Sequence, residues 1–156
     1  MEITRASLAD IGGILRLLSQ VLQIHAEIRP DIFISGTTKY TEDQLREIIG
    51  EDSRPVFVVK HNGEVCGYAF CVIKDADFAT TMKPHKSVYI DDFCVDSSTR
   101  GKGIGKSLFE FVKKWAKSIG CTDITLAVWE GNDSARAFYD KMGMTPRETI
   151  MELGLV

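Results

Sequence analysis

Apolar residues recur along this chain in two alternating rhythms, one of period two and one near 3.6, and the switches between them mark its elements. Residues 2–5 read as a short opening strand. Ser7 with Asp10 three positions on is a helix-capping pair, and Ile11, Ile14, Leu15, Leu18, Val21 and Leu22 follow at helical spacing. Thr41 and Gln44 repeat the capping pattern at the head of a shorter helix that ends near Gly50. Val56–Lys60 and Val65–Ile73 are strand-like runs joined through Asn62-Gly63, a dipeptide that favours a hairpin turn. Residues 88–95 form a further strand. From Ile104, the set Leu108, Phe111, Val112, Trp115 and Ile119 marks a helix with one buried face, closed by Gly120. Ile124–Val128 reads as a strand, Ser134–Met142 as a helix closed by Gly143, and Thr149–Leu153 as a last strand. This alternation around a central hairpin predicts an α/β fold, a mixed sheet flanked by helices.

Composition narrows the class. A chain of 156 residues with 44% hydrophobic and 26% charged residues is ordinary for one soluble domain, and no repeat or linker-like stretch divides it. The net charge of −3 argues against a dedicated nucleic-acid binder. Cys66, Cys71, Cys94 and Cys121 show no metal-ligand spacing and no CxxC pair, so reduced thiols and no metal are expected. The start Met-Glu-Ile-Thr-Arg carries no apolar signal region, and no apolar run approaches membrane-spanning length. A cytoplasmic protein without a membrane partner is the expectation.

One segment departs from the negative balance. Arg100-Gly101-Lys102-Gly103-Ile104-Gly105-Lys106 places three alternating glycines and three cations where a helix opens behind an apolar strand. Glycine lets backbone lie against a ligand, and a helix start offers free N–H groups to an anion. The physical expectation is a phosphate cradle. Its spacing separates the alternatives. A P-loop needs glycine where Arg100 stands. A dinucleotide fingerprint needs glycine at Lys106, or glycine or alanine at Leu108. Arg-x-x-Gly-x-Gly, from Arg100 to Gly105, fits neither.

With this loop, the downstream pattern Asn132-x-x-Ala135-x-x-Phe138-Tyr139-x-Lys141-x-Gly143 and the strand Tyr89-Ile90-Asp91-Asp92-Phe93-Cys94-Val95 resemble the GCN5-related N-acetyltransferases. The resemblance covers residues 88–144 and implies that family's fold, a central, mostly antiparallel sheet flanked by about four helices. It implies acetyl-coenzyme A as co-substrate, with the pyrophosphate on the backbone of Arg100, Gly101, Lys102, Gly103, Ile104, Gly105 and Lys106. It also implies a bulge in the strand, with the pantetheine arm and thioester near Phe93, Cys94 and Val95, and Asn132 on the cofactor's amides. Asn132 reads equally as a helix cap.

Amine acetylation needs a base for the ammonium, whose pKa is about 10.4, and an acid for the departing thiolate. The resemblance gives Tyr139 the acid's role, although its helical face shared with Ala135, Phe138 and Met142 also suits packing. Asp91 and Asp92 are the candidate bases, Asp91 first by resemblance. On a regular strand they point to opposite faces, and a solvated strand-edge charge is the competing reading. Cys94 reads as a buried, inert thiol, since family chemistry is direct transfer in a ternary complex. His25 and Trp129 are candidate linings of the acceptor pocket, with helix-end placement and rim packing as the plainer readings. Ala127 stands where ribosomal-protein N-terminal acetyltransferases place a glutamate, and Met144 replaces the aromatic usual after Gly143. Only residues 144 to 156 follow, enough for one strand, so the acceptor site is expected to be more open or completed by a partner subunit in a homodimer. The acceptor class is a small cationic amine or amino-acid-like metabolite; a protein lysine or N-terminus and a non-catalytic acetyl-coenzyme A sensor are the alternatives.

Overall fold

The protein is described by a computed structural model over residues 1–156. Strands β1 (Glu2–Arg5), β2 (Val56–His61), β3 (Glu64–Asp75), β4 (Lys86–Val95) and β5 (Asp123–Leu126) form one sheet in chain order. The first four pair antiparallel, and β5 joins β4 in parallel. Helices α1 (Ile11–Ile28), α2 (Glu42–Ile49), α3 (Ile104–Ser118) and α4 (Asp133–Lys141) flank it. This is the mixed sheet flanked by helices that the periodicity predicts, in the mostly antiparallel, four-helix form that the family resemblance implies. No helix is long and apolar enough to cross a membrane.

Both sheet faces are covered, which is why the central strands read as nearly continuous apolar runs. On one face Val56, Val58, Tyr68 and Phe70 pack against Ile14, Leu17 and Leu18 of α1 and Leu45 and Ile48 of α2. On the other, Phe57, Val59, Ala69, Cys71, Val88 and Ile90 pack against Leu108, Phe109 and Val112 of α3. The Asn62-Gly63 turn forms as expected, both residues left-handed at φ 51° and 80°.

Three boundaries differ from the sequence reading. Ser7 and Asp10 bracket a single 3₁₀ turn, with the Ser7 N–H donating to Asp10 at 2.8 Å, and α1 begins only at Ile11. The strand expected at Ile124–Val128 ends at Leu126, because its pairing with β4 stops at Ile90↔Leu126. The strand expected at Thr149–Leu153 is absent as an element: no backbone group of residues 145–156 has a hydrogen-bond partner, and Ile150, Met151 and Leu153 are exposed. A strand is stable only against a neighbour, and this segment has none.

Asp96 ties α1 to the end of β4. Its buried carboxylate accepts from Arg16, Gln20 and the Ser98 N–H, fixing the 3₁₀ turn Ser97–Thr99 that leads to the glycine run. Burial works to raise its pKa, but Arg16, Ser98 and Gln20 outweigh it and hold it well below the usual carboxylate range. A lowered folded pKa contributes stability that is present above the unfolded value near 3.9 and lost as pH falls. Asp96→Asn is therefore expected to cost about 2 kcal/mol at pH 7 in urea melts. The gap from the parent protein should narrow below pH ~4.

Candidate active site

The site begins where two strands part. β5 leaves the sheet after Leu126, whereas β4 runs on to Val95 paired only with β3. The β4 edge from Asp91 to Val95 thus faces a cleft with no strand beside it. The adjoining glycine run lies at the head of α3, with Gly101 and Gly103 left-handed at φ 82° and 75°. None of the backbone N–H groups from Arg100 to Lys106 has a hydrogen-bond partner. Ile104 is buried and anchors the run, while Arg100, Lys102 and Lys106 are exposed around it. Such a row of free donors at a positive helix end suits a pyrophosphate. A Cβ on residue 105 would lie 3.2 Å from the Phe138 ring, so glycine there lets α4 pack close to the run without displacing that ring.

Packing of α4 brings the second motif to the first. Phe138 stacks on Phe93 at 5.7 Å, and Tyr139 meets Phe93 edge-on at 6.3 Å. The Tyr139 hydroxyl makes no protein hydrogen bond; burial, then the charge of Asp92, raises its pKa. Asn132 caps α4, its side-chain oxygen accepting from the Ala135 N–H at 3.4 Å. Cys94 faces the α1 side, and burial pushes its thiol up to about 12, which suits an inert core residue.

The aspartates are placed by a bulge. Phe70 pairs with Asp92 and Cys71 with Ile90, leaving Asp91 as an extra residue in β4. The inserted residue reverses the alternation of faces. Ile90 packs on the α3 side, yet Asp92 pairs with Phe70 of the α1–α2 core, and Asp91 meets Tyr40, whose ring stacks on that same Phe70. Both carboxylates therefore reach one side of the sheet, which a regular strand forbids. Their surroundings differ. Asp91 accepts from the Tyr40 hydroxyl and pairs with Lys39 at 3.2 Å. Asp92 accepts only from the Phe93 N–H, at 2.9 Å. Burial raises its pKa to about 6, against the opposing charge of Lys39 and with Asp91 adding repulsion. Beside it the buried Tyr68 hydroxyl has no partner of good hydrogen-bond geometry, and burial, then the charge of Asp92, raises its pKa.

Across the cleft, His25, Phe33 and Trp129 form an aromatic wall, with His25–Phe33 at 5.1 Å, Phe33–Trp129 at 5.2 Å and His25–Trp129 at 6.5 Å. Burial, then Lys39, lowers the His25 pKa and favours neutral imidazole. Lys39, Tyr40 and Tyr68 were invisible as site residues in the sequence. Tyr40 precedes the Thr41 cap, where an apolar staple is usual, and Tyr68 occupies a core position in β3; a phenol in each place was the only signal.

The sequence profile of the Acetyltransferase (GNAT) family matches residues 18–144. An uncharacterized N-acetyltransferase from Lactobacillus delbrueckii subsp. lactis is 32% identical over 67% of this chain and 59% of its own length. The chain thus spans little more than half of that relative. The thialysine N-epsilon-acetyltransferase of Bos taurus is 28% identical over 90% of this chain and 82% of its own. Among solved structures, a mutant of the BH1408 protein from Bacillus halodurans superposes with a TM-score of 0.94 at 32% identity, covering 100% of both chains. The free donor row, the parted strands and the α4 motif now coincide with the sequence match, and the chain belongs to the acetyltransferase (GNAT) family.

Proposed function

We propose that this protein is an acetyl-coenzyme A-dependent N-acetyltransferase that acts on the primary amine of a small, amino-acid-like acceptor by direct transfer in a ternary complex. The observation that carries the reading is the unpartnered N–H row of Arg100–Lys106 beside the unpaired β4 edge. Bound there, acetyl-coenzyme A would supply the activated thioester carbonyl. The row and its three cations would hold the pyrophosphate, and the backbone of Phe93, Cys94 and Val95 would align the pantetheine arm.

Between the aspartates, Asp92 is the better base. Asp91 already shares its lone pairs with Tyr40 and Lys39 and acts as a latch on the segment before α2. Asp92, with a pKa near 6, is ionised at neutral pH yet basic enough to take a proton from an ammonium, directly or through water. Tyr139, free of other partners, would pass its hydroxyl proton to the departing sulfur. Lys39 cancels one of the two negative charges, leaving the pocket suited to an amine whose charge is offset by a carboxylate and not to a polyamine. Lys39 itself is a cation for an acceptor carboxylate, and the His25–Phe33–Trp129 wall suits an apolar stem. The similar bovine protein is named for thialysine, an amino acid with a side-chain amine, and that name fits this class.

A panel of amines and peptides assayed by release of free coenzyme A tests the assignment; release with amino-acid diamines is expected, and none with any amine would sink it. Gly103→Val forces a branched side chain into left-handed backbone and should raise KM for acetyl-coenzyme A at least tenfold, at ~1–2 kcal/mol of stability. Asp92→Asn should lower kcat/KM about a hundredfold at pH 7 and abolish the acidic limb near pH 6. Because the folded pKa of Asp92 is raised, its charge costs stability above pH ~4, and increasingly so up to about 6. The same variant should therefore melt at a higher temperature at pH 7. Tyr139→Phe should reduce kcat ten- to a hundredfold while leaving acetyl-coenzyme A affinity, read by thermal shift, within about twofold.

A further inference from the structure

Three aromatic rings pack in series beside the two aspartates, on the α1–α2 side of the sheet. Tyr40 stacks on Phe70 at 5.6 Å, and Tyr68 meets Phe70 edge-on at 4.9 Å. Phe70 pairs directly with Asp92 across the β3–β4 ladder. At one end of the series the Tyr40 hydroxyl donates to Asp91. At the other end Tyr68 pairs with Cys94, which makes Asp92 its diagonal neighbour, within reach of a long aromatic side chain. Tyr68 is fully buried, and the protein gives its hydroxyl no acceptor of good geometry. A buried phenol ordinarily finds a partner, because leaving its donor unpaired is costly.

The groups around Asp92 point to where that donor goes. On its own strand stand Asp91, a second anion, and Cys94, whose thiol turns to the Leu17 carbonyl of α1 at 3.9 Å. Ahead of α2, Lys39 is committed to Asp91, to its carboxylate at 3.2 Å and its carbonyl at 2.9 Å. Helices α1 and α2 otherwise meet this side with Ile14, Leu17, Leu18, Leu45 and Ile48. From α4, Tyr139 stands against Phe93 in the other core. The Asp92 Oδ1 accepts from the Phe93 N–H at 2.9 Å, and Oδ2 is left for a further donor.

Taking Asp92 as the base, as the functional reading does, we propose that Tyr68 is its positioning residue, donating its hydroxyl to the Asp92 carboxylate and fixing that group's rotation toward the acceptor. Each carboxylate then has its own phenol: Tyr40 holds Asp91 out of the chemistry, and Tyr68 aims Asp92 into it. A hydrogen bond to the ionised carboxylate favours that form, so Tyr68 works with Lys39 against the burial that lifts Asp92 to about 6. Without the phenol, burial and Asp91 carry Asp92 further up, and less of it is ionised when the ammonium arrives.

Carboxyl carbon-13 NMR and a pH–rate profile of Tyr68→Phe test this together. The substitution keeps the ring and its contact with Phe70, so circular dichroism should be unchanged. The Asp92 resonance, assigned by its loss in Asp92→Asn, should titrate about one pH unit higher in Tyr68→Phe than in the parent chain. The acid limb of kcat/KM should move up with it, and kcat on the plateau should fall about tenfold with KM for acetyl-coenzyme A unchanged. Adding Tyr68→Phe to Asp92→Asn should cost no further activity. In the parent chain, without any change at Tyr68, its ring Cζ resonance should step near pH 6 with Asp92. An Asp92 titration that ignores Tyr68→Phe, an acid limb that stays in place, additive losses in the double variant, or a Tyr68 resonance flat through pH 6 would each overturn the proposal. The NMR titrations involve no acetyl transfer, so a failure of this pairing is told apart from a failure of the functional reading.

Discussion

Everything at the cleft depends on the separation of β4 and β5. Two parallel strands that pair over four positions and then diverge leave a length of main chain with donors and acceptors that no strand satisfies. Buried backbone polar groups are costly without partners, so such an opening persists only where solvent or a ligand serves them. Aromatic rings line the opening: Phe138 and Tyr139 of α4 stand against Phe93 on β4, and Phe138 also reaches Phe109 on α3. The opening and the helix beside it are thus one packing unit.

Much of this was legible in the sequence because it rests on local rules. Amphipathic spacing gave α1 and α3, the Thr41/Gln44 box and the Asn62-Gly63 turn placed their elements, and the glycine spacing alone excluded the nucleotide motifs. Leu17, beside Leu18, falls outside the helical set, yet both are buried.

What was not legible is non-local. The resemblance implies a bulge somewhere in the strand, but its place at Asp91 depends on register with β3, and no feature of Asp91-Asp92 itself says which carboxylate will meet a cation. Lys39 and Tyr40, brought from more than fifty positions away in sequence, decide that by pairing with Asp91. The tail shows the opposite failure. Thr149–Leu153 has a strand's composition, but composition specifies a preference and pairing requires a partner edge.

Helix α1 touches both halves of the cleft. Arg16 grips the turn that leads to the glycine run, and His25, nine residues on, stands in the aromatic wall. At 1.5 Å per residue these points lie about 13 Å apart along one rigid rod. A small axial slide or tilt of that rod moves the grip and the wall together. Two ligands that each favour one setting of α1 would strengthen each other's binding by the same factor, whichever arrives first. The glycine run and the aromatic wall are thus joined through one helix.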